Sequence, residues 1–310
     1  MHTHTTLTPA EAAQRGNALV RMAVIGVRGG WSSETLADRV AEATGGPRLL
    51  VELDQVRLDL PSGRAMYQGH DLSAFDGLII KKLGFAYSAD LLDRLEMLRL
   101  LAGRGVRIFS KPQAIAALLN RLACTVTLQL AGIPMPQTTV TGDLDHALAA
   151  VADYGVSILK PLYSTKARGM LVMRPGAEAR ETLLAYQRQH PVFYLQKAIN
   201  VGEQDLGVVF LGGEYLTTYA RTRKSGAWNT TTASGGTYVP FDPPREIIEL
   251  ARCAQEPFGL DFTCVDVALT DSGPYVFEVS AFGGFRGIQE ARGLDAAGLY
   301  AQYALGRIRT

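Results

Sequence analysis

Phe262-Thr263-Cys264-Val265-Asp266-Val267-Ala268-Leu269, Thr270-Asp271-Ser272-Gly273 and Pro274-Tyr275-Val276-Phe277-Glu278-Val279-Ser280 follow one another near the end of the chain. Two apolar, β-branched flanks around a short polar centre predict two antiparallel strands joined by a turn. A three-residue loop Asp271-Ser272-Gly273, with glycine where φ is positive, is a common hairpin choice. That register sets Asp266 directly opposite Glu278, on one face and about 5 Å apart. Ser280, two residues further on, shares the face. Two carboxylates so placed repel each other unless a cation or a proton joins them. Mg²⁺ takes one or two carboxylates together with phosphate oxygens, so the pair predicts a metal serving a phosphate-bearing ligand. An exposed sheet face carrying two solvated acids is the alternative.

Upstream, Asp205 to Phe210 and Tyr215 to Arg221 flank Leu211-Gly212-Gly213-Glu214, which suits a two-residue Gly-Gly turn. The turn returns Arg221 to the open end that holds Asp205, with Arg223, Lys224, Asn229, Thr230 and Thr231 close behind. Cations and amides collected there suit a polyphosphate. Earlier still, Ser157-Ile158-Leu159-Lys160-Pro161 ends an apolar strand on a lysine. The loop Tyr163-Ser164-Thr165-Lys166-Ala167-Arg168-Gly169-Met170 follows it. A cation beside a small-residue loop can hold an anion, although a solvated loop would look the same.

The first third has another pattern. Met22 to Val27, Arg48 to Leu53, Leu78 to Leu83 and Val106 to Phe109 are short apolar runs, predicted as strands. Helical patterns lie between them at Thr35 to Ala43 and at Ala89 to Ala102, where Leu91, Leu92, Leu95, Leu98 and Leu101 share a face. Alternation of strand and helix predicts a parallel α/β layer. A helical stretch then runs from Pro112 to about Ala131, stopped by Gly132 and Pro134. Short strands and helices after it predict two α+β units. The expected division is a flexible tail over residues 1–20, an α/β domain over 21–112, and α+β subdomains over 113–195 and 196–310. Arg28-Gly29-Gly30-Trp31, after the first strand, is a turn that can line a substrate. It lacks the spaced third glycine of a dinucleotide fingerprint, so NAD is excluded.

Lys and Arg number 31 against 30 Asp and Glu, for a net charge of +1; a nucleic-acid partner usually brings a basic excess. Cys124, Cys253 and Cys264 are too scattered for a zinc site and read as small buried thiols of a reducing compartment. The start carries no secretory pattern and no apolar run reaches bilayer length, so a cytoplasmic chain with no membrane partner is expected. His70, His146 and His190 sit in polar segments, and no Ser-His or Cys-His constellation stands out.

Taken in order, Lys160, Gln196-Lys197-Ala198-Ile199, Asp205, Arg221, Asn229, Asp266 and Glu278-Val279-Ser280 resemble the ATP-grasp enzymes of the RimK-like branch, which includes ligases that add glutamate to ribosomal proteins. More narrowly the chain is similar to the bacterial GAK-system ATP-grasp proteins. The resemblance spans Met22 to the C-terminus. It implies an α/β and α+β ATP-grasp fold with ATP sandwiched between two sheets. Lys160 would face the α-phosphate or adenine, and the backbone of Gln196 to Ile199 the adenine edge. Asp205 would hold the ribose, and Asn229, Thr230 and Thr231 the phosphates. Asp266, Glu278 and Ser280 would ligate Mg²⁺, or Mn²⁺ in its place, and Arg221 would meet the transferred γ-phosphate. The implied reaction is carboxylate–amine ligation through an acyl phosphate, on ATP, a carboxylate and an amine, each a small molecule or part of a protein; a homo-oligomer is compatible. Arg286, in the Gly283-Gly284-Phe285-Arg286-Gly287 loop, can bind a substrate carboxylate.

This sequence departs from the family pattern at several points. Arg121 stands where a lysine is usual, and Ser164 and Ala167 replace loop glycines, with Lys166 and Arg168 adding charge. Lys197 replaces a hinge glutamate, Asp205-Leu206-Gly207 lacks the arginine of Asp-x-Arg, and Ser280 replaces an asparagine ligand. These departures keep two other readings open: a non-catalytic nucleotide-binding regulator, and a phosphotransferase that stops at phosphorylation.

Overall fold

The computed structural model describes residues 19–165, 167–222 and 236–310. Most of the expected tail, together with Lys166, Arg223, Lys224, Asn229, Thr230 and Thr231, lies outside the described residues. The chain divides into two compact units, one of Met1–Leu83, Met97–Phe109 and Ala297–Thr310, the other of Gly84–Glu96 and Ser110–Ala296.

The first unit is built on a parallel sheet of β1 (Met22–Ile25), β2 (Leu50–Val51), β6 (Gly77–Ile80) and β7 (Arg107–Phe109), in the order β2-β1-β6-β7. Ala23, Val24 and Ile25 are fully buried. A run without polar alternation is what a strand covered on both faces needs. Helix α1 (Trp31–Thr44) follows β1 and ends on Gly45, whose positive φ closes the helix. A three-stranded antiparallel sheet, β3 (Arg57–Asp59), β4 (Arg64–Tyr67) and β5 (His70–Asp71), intervenes before β6. Its strands are two to four residues long, too short for periodicity to register, and were not expected. Helix α2 (Asp90–Gly103) precedes β7 and is divided between the units: Leu98 and Leu101 are buried in the part from Met97 that belongs to this unit, and Leu91 and Leu95 are buried in the part that belongs to the second.

In the second unit the helical stretch after Pro112 is two helices, α3 (Pro112–Leu119) and α4 (Arg121–Leu130). Asn120 breaks them apart: its backbone is extended and its side-chain oxygen accepts the N–H groups of Leu122 and Ala123, an N-cap inside an apolar run. An antiparallel sheet of order β10-β9-β11-β8 comes next, from β8 (Thr138–Thr141), β9 (Ser157–Leu159), β10 (Leu171–Met173) and β11 (Phe193–Lys197). Helices α5 (Leu144–Tyr154) and α6 (Ala177–Gln187) bury Ala147, Val151 and Leu183 with Phe193 and Leu195. β11 runs unbroken through residue 196, where a subdomain boundary was expected.

The larger sheet has the order β14-β13-β12-β15-β16, from β12 (Gln204–Leu211), β13 (Glu214–Thr222), β14 (Thr237–Pro240), β15 (Phe262–Thr270) and β16 (Gly273–Ser280). Helix α7 (Arg245–Gln255) precedes β15, and α8 (Phe285–Arg292) follows β16. The β12–β13 turn is the expected Gly212-Gly213, both at positive φ.

The last helix, α9 (Ala296–Arg309), was expected with the C-terminal subdomain. From Ala297 onward it belongs to the first unit. There Tyr303 meets Phe109 edge-on at 6.4 Å, and the Arg307 carbonyl accepts from Arg107 at 2.8 Å. An apolar stripe in sequence does not say which sheet it will cover. Among the described residues, no helix is long and apolar enough to cross a membrane.

Candidate nucleotide and metal site

The hairpin of β15 and β16 pairs Asp266 with Glu278. The pairing arises differently from the expected three-residue loop. Thr270 pairs with Gly273 across a two-residue turn, and the ladder then slips between Asp266 and Val267, so that Phe277 is the extra residue of a bulge. One residue fewer in the turn and one more in the strand cancel. The bulge has a consequence of its own: Phe277 and Glu278, neighbours that a regular strand would send to opposite faces, line the same pocket.

Asp266 also meets the adjacent hairpin. β12 and β13 pair Asp205 with Arg221, helped by a ladder slip near the turn. The Arg221 guanidinium bonds Asp205 through Nε at 3.2 Å and again through Nη2, which lies 3.0 Å from Asp266 Oδ1. Burial pulls the Arg221 pKa down, but Asp266 and Asp205 outweigh it and the net shift is upward. Burial pushes Asp266 up to about 6; Arg221 opposes this, and Asp205 and Glu278 add to it. Asp205 and Asp266 share the Arg221 guanidinium, and Glu278 stands opposite Asp266 on the next strand; such a pair of carboxylates suits a hard divalent cation bound with phosphate. Among the described residues no group of three or more His, Cys, Asp or Glu side chains is placed to hold a metal ion.

Ser280, the expected third ligand, pairs with Cys264; its hydroxyl accepts the Phe282 N–H at 3.3 Å and its carbonyl accepts from Thr263 at 2.7 Å. The arginine missing after Asp205 also has a physical reason. A Cβ on Gly207 would lie 2.5 Å from the Tyr219 ring, so Tyr219 fills the space where a side chain would start.

On the facing sheet, Lys160 follows β9 and is 8% exposed. Its ammonium donates to Gln196 Oε1 at 2.5 Å and sits 5.6 Å from the centre of the Phe277 ring. Burial, then Arg121, lowers its pKa to about 7, with Glu278 pulling the other way. Gln196 donates in turn to Thr138 at 3.1 Å. Arg121 spends its planar fork on the neighbouring turn, donating to the Pro161 carbonyl at 3.0 Å and to Ser164 Oγ at 3.2 Å. The fork reaches the two acceptors from separate nitrogens, a geometry that a single ammonium does not reproduce. In the hinge, the Lys197 and Ala198 N–H groups are taken by Gln137 and Val156 carbonyls.

A small pocket beside Arg121 is lined by Tyr87, Cys124, Thr125, Phe277 and Glu278, among others. Tyr87 and Phe277 had no signal in the sequence: one lies in an irregular stretch and the other is placed by a bulge. Burial raises the Cys124 thiol to about 11, which agrees with an inert core cysteine. Arg286 is not in a flexible loop. It opens α8, 3.9 Å from Glu290. The glycines around it serve close packing: a Cβ on Gly283 would strike Phe262, and one on Gly287 the rings of Tyr219 and Tyr238.

Comparisons with known proteins bear on the family and the fold. Residues 119–303 match the model of the RimK-like ATP-grasp domain. The tetrahydromethanopterin:alpha-L-glutamate ligase of Methanosarcina acetivorans is 23% identical over 260 residues, covering 75% of this chain and 80% of that protein. Among solved structures, a RimK domain ATP-grasp protein from Sphaerobacter thermophilus has a TM-score of 0.71 at 22% identity, covering 93% of this chain and all of that one. The ATP-grasp ligase PsnB, solved with a phosphomimetic variant of its minimal precursor, Mg and ADP, has a TM-score of 0.73 at 17% identity, covering 95% of this chain and 100% of that one. These structural likenesses are of fold. With the domain model matched over more than half of its residues, the chain belongs to the RimK-like ATP-grasp family.

Proposed function

We propose that the chain is an ATP- and Mg²⁺-dependent carboxylate–amine ligase, with an acidic amino acid such as L-glutamate as the amine. A substrate carboxylate oxygen attacks the γ-phosphorus, the bond to the β–γ bridging oxygen breaks, and ADP leaves. The amine nitrogen then attacks the acyl carbon, the C–O bond to phosphate breaks, and the amine loses a proton as the amide forms. Such a reaction depends on position and charge neutralisation rather than on a protein nucleophile.

The observation that carries this reading is the Asp266–Glu278 pair on a hairpin whose Phe277 stands over buried Lys160. Asp266 and Glu278, with Ser280 as a weaker third oxygen, would hold Mg²⁺, which when bound neutralises phosphate charge. Lys160 and Arg121 face the phosphates. The adenine edge falls to Gln196, to the carbonyls of Lys197 and Ala198, and to Ile199. Asp205 holds the ribose once Arg221 turns to the γ-phosphate. Lys166, Asn229, Thr230 and Thr231 complete the phosphate contacts, and Arg286 takes a substrate carboxylate. Three free thiols, two of them buried, support a reducing cytoplasmic setting.

The engaged Ser280 hydroxyl and the cation excluded at Gly207 favour a second reading, a nucleotide-binding regulator without turnover. Release of ADP and phosphate from ATP with Mg²⁺, L-glutamate and a panel of carboxylates separates the two. Amide product supports the ligase; tight ATP binding without turnover supports the regulator.

A further inference from the structure

Gly207 on β12 pairs with Tyr219 on β13 and with Asp266 on β15, so these residues share one face of the larger sheet. Cys264, two residues before Asp266 on β15, lies on that face as well. Tyr219 is 4% exposed, and glycines make room for its ring on two sides. A Cβ on Gly207 would come within 2.5 Å of the ring and one on Gly287 within 2.8 Å. Tyr238 meets it edge-on at 5.4 Å. A phenol clamped in this way has its hydroxyl fixed, and a buried hydroxyl needs a partner. Its partner is the Cys264 sulfur, 3.7 Å away.

Cys264 in turn donates to Asp266 Oδ1 at 3.8 Å, the oxygen that also lies 3.0 Å from Arg221 Nη2. With the thiol hydrogen directed at Asp266, the phenol is the donor to sulfur. A thiol is a weak donor, but buried hydrogen bonds in series polarise and strengthen one another. Arg221 on β13 and Cys264 on β15 reach Oδ1 from different strands, which fixes the rotation of the carboxylate. When Arg221 turns to the γ-phosphate, as proposed above, the thiol is the contact that stays. The Ser280 hydroxyl already accepts the Phe282 N–H, so a cation here depends on the setting of two carboxylates.

We propose that Tyr219 and Cys264 are positioning residues: through the chain Tyr219 Oη, Cys264 Sγ, Asp266 Oδ1 they hold the Asp266 carboxylate in the orientation that receives the divalent cation. The inference rests on Asp266 as a metal ligand in the proposed function. Mn²⁺ is titrated into the full chain with ADP, and bound metal is read from loss of the free-ion electron paramagnetic resonance signal; ADP affinity is also measured without metal. Cys264→Ala should weaken Mn²⁺ binding about tenfold, and Tyr219→Phe several-fold, with metal-free ADP affinity unchanged. Cys264→Ser keeps a donor and should recover most of the loss. Tyr219→Phe combined with Cys264→Ala should bind Mn²⁺ no more weakly than Cys264→Ala alone, because the phenol acts through the thiol; independent packing effects would add. Wild-type Mn²⁺ affinity in Cys264→Ala and Tyr219→Phe overturns the inference while leaving the metal assignment standing. Losses that add, that Cys264→Ser does not recover, or that metal-free ADP binding shares, do the same. A wild type that binds no Mn²⁺ with ADP, or an Asp266→Asn variant that binds it as tightly as wild type, removes the metal assignment itself and the inference with it.

Discussion

Lys160 shows how one buried side chain ties nucleotide affinity to pH. Its pKa near 7 lies well below the ordinary 10.5, chiefly because burial penalises the ammonium. The unfolded chain therefore holds this proton more tightly. Lys160's contribution to stability is complete only above the ordinary pKa and is lost as pH falls through about 7. Phosphate oxygens brought against the ammonium would restore the charged form. Nucleotide binding should then take up a proton above pH ~7, and ATP affinity should decline between pH ~7 and ~9 by up to about tenfold per unit. Calorimetry in two buffers of different ionisation enthalpy reads the proton directly, and Lys160→Met should abolish the uptake. ATP affinity that stays flat over that range would remove Lys160 from the phosphate site.

Elements were legible where periodicity is long, and side-chain partners were legible where a turn fixes the register. The Gly212-Gly213 hairpin follows from its glycines and brings Arg221 to Asp205, whereas Asp266 meets Glu278 because a turn one residue shorter than expected and a bulge one residue longer cancel. What escaped was local and tertiary: the cap at Asn120, the short strands β3 to β5, the packing roles of Gly207, Gly283 and Gly287, and the bulge at Phe277. None of these alters hydrophobic period, and each depends on a contact distant in sequence or on a single residue. The bulge can be tested as an element. Deleting Phe277 leaves Thr270 opposite Gly273 and brings Glu278 opposite Asp266 in a regular ladder, so the carboxylate pair survives while the aromatic roof over Lys160 is lost. The deletion variant should fold and keep its Mg²⁺ requirement, with ATP bound several-fold more weakly for the loss of about 1 kcal/mol of cation–π and stacking contact. Loss of the Mg²⁺ requirement would show that the bulge itself, and not the ladder, holds the pair together.

For the whole molecule, the site is a place where stability is given up for ligand binding. Asp205 and Asp266 share one guanidinium, Glu278 stands opposite Asp266 on the next strand, and burial drives Asp266 up to about 6. Without a cation this arrangement opposes folding; with Mg²⁺ and nucleotide it becomes favourable. At pH ~8 Lys160 has mostly lost its proton, so its attraction to Glu278 contributes little and the repulsion among carboxylates dominates. Glu278→Gln keeps the shape and removes one charge. The transition that unfolds the second unit should therefore rise by about 0.5–2 kcal/mol, or roughly 2–4 °C per kcal/mol for a unit of this size. Mg²⁺ and ATP at a hundredfold excess over Kd should add about 2.7 kcal/mol to the wild type and far less to the variant, whose ADP release should disappear. Differential scanning calorimetry with and without Mg²⁺ and ATP measures all of these shifts. A Glu278→Gln chain that melts below the wild type, or gains as much from Mg²⁺ and ATP, would mean that the two acids are not held apart from their preferred state to await a metal.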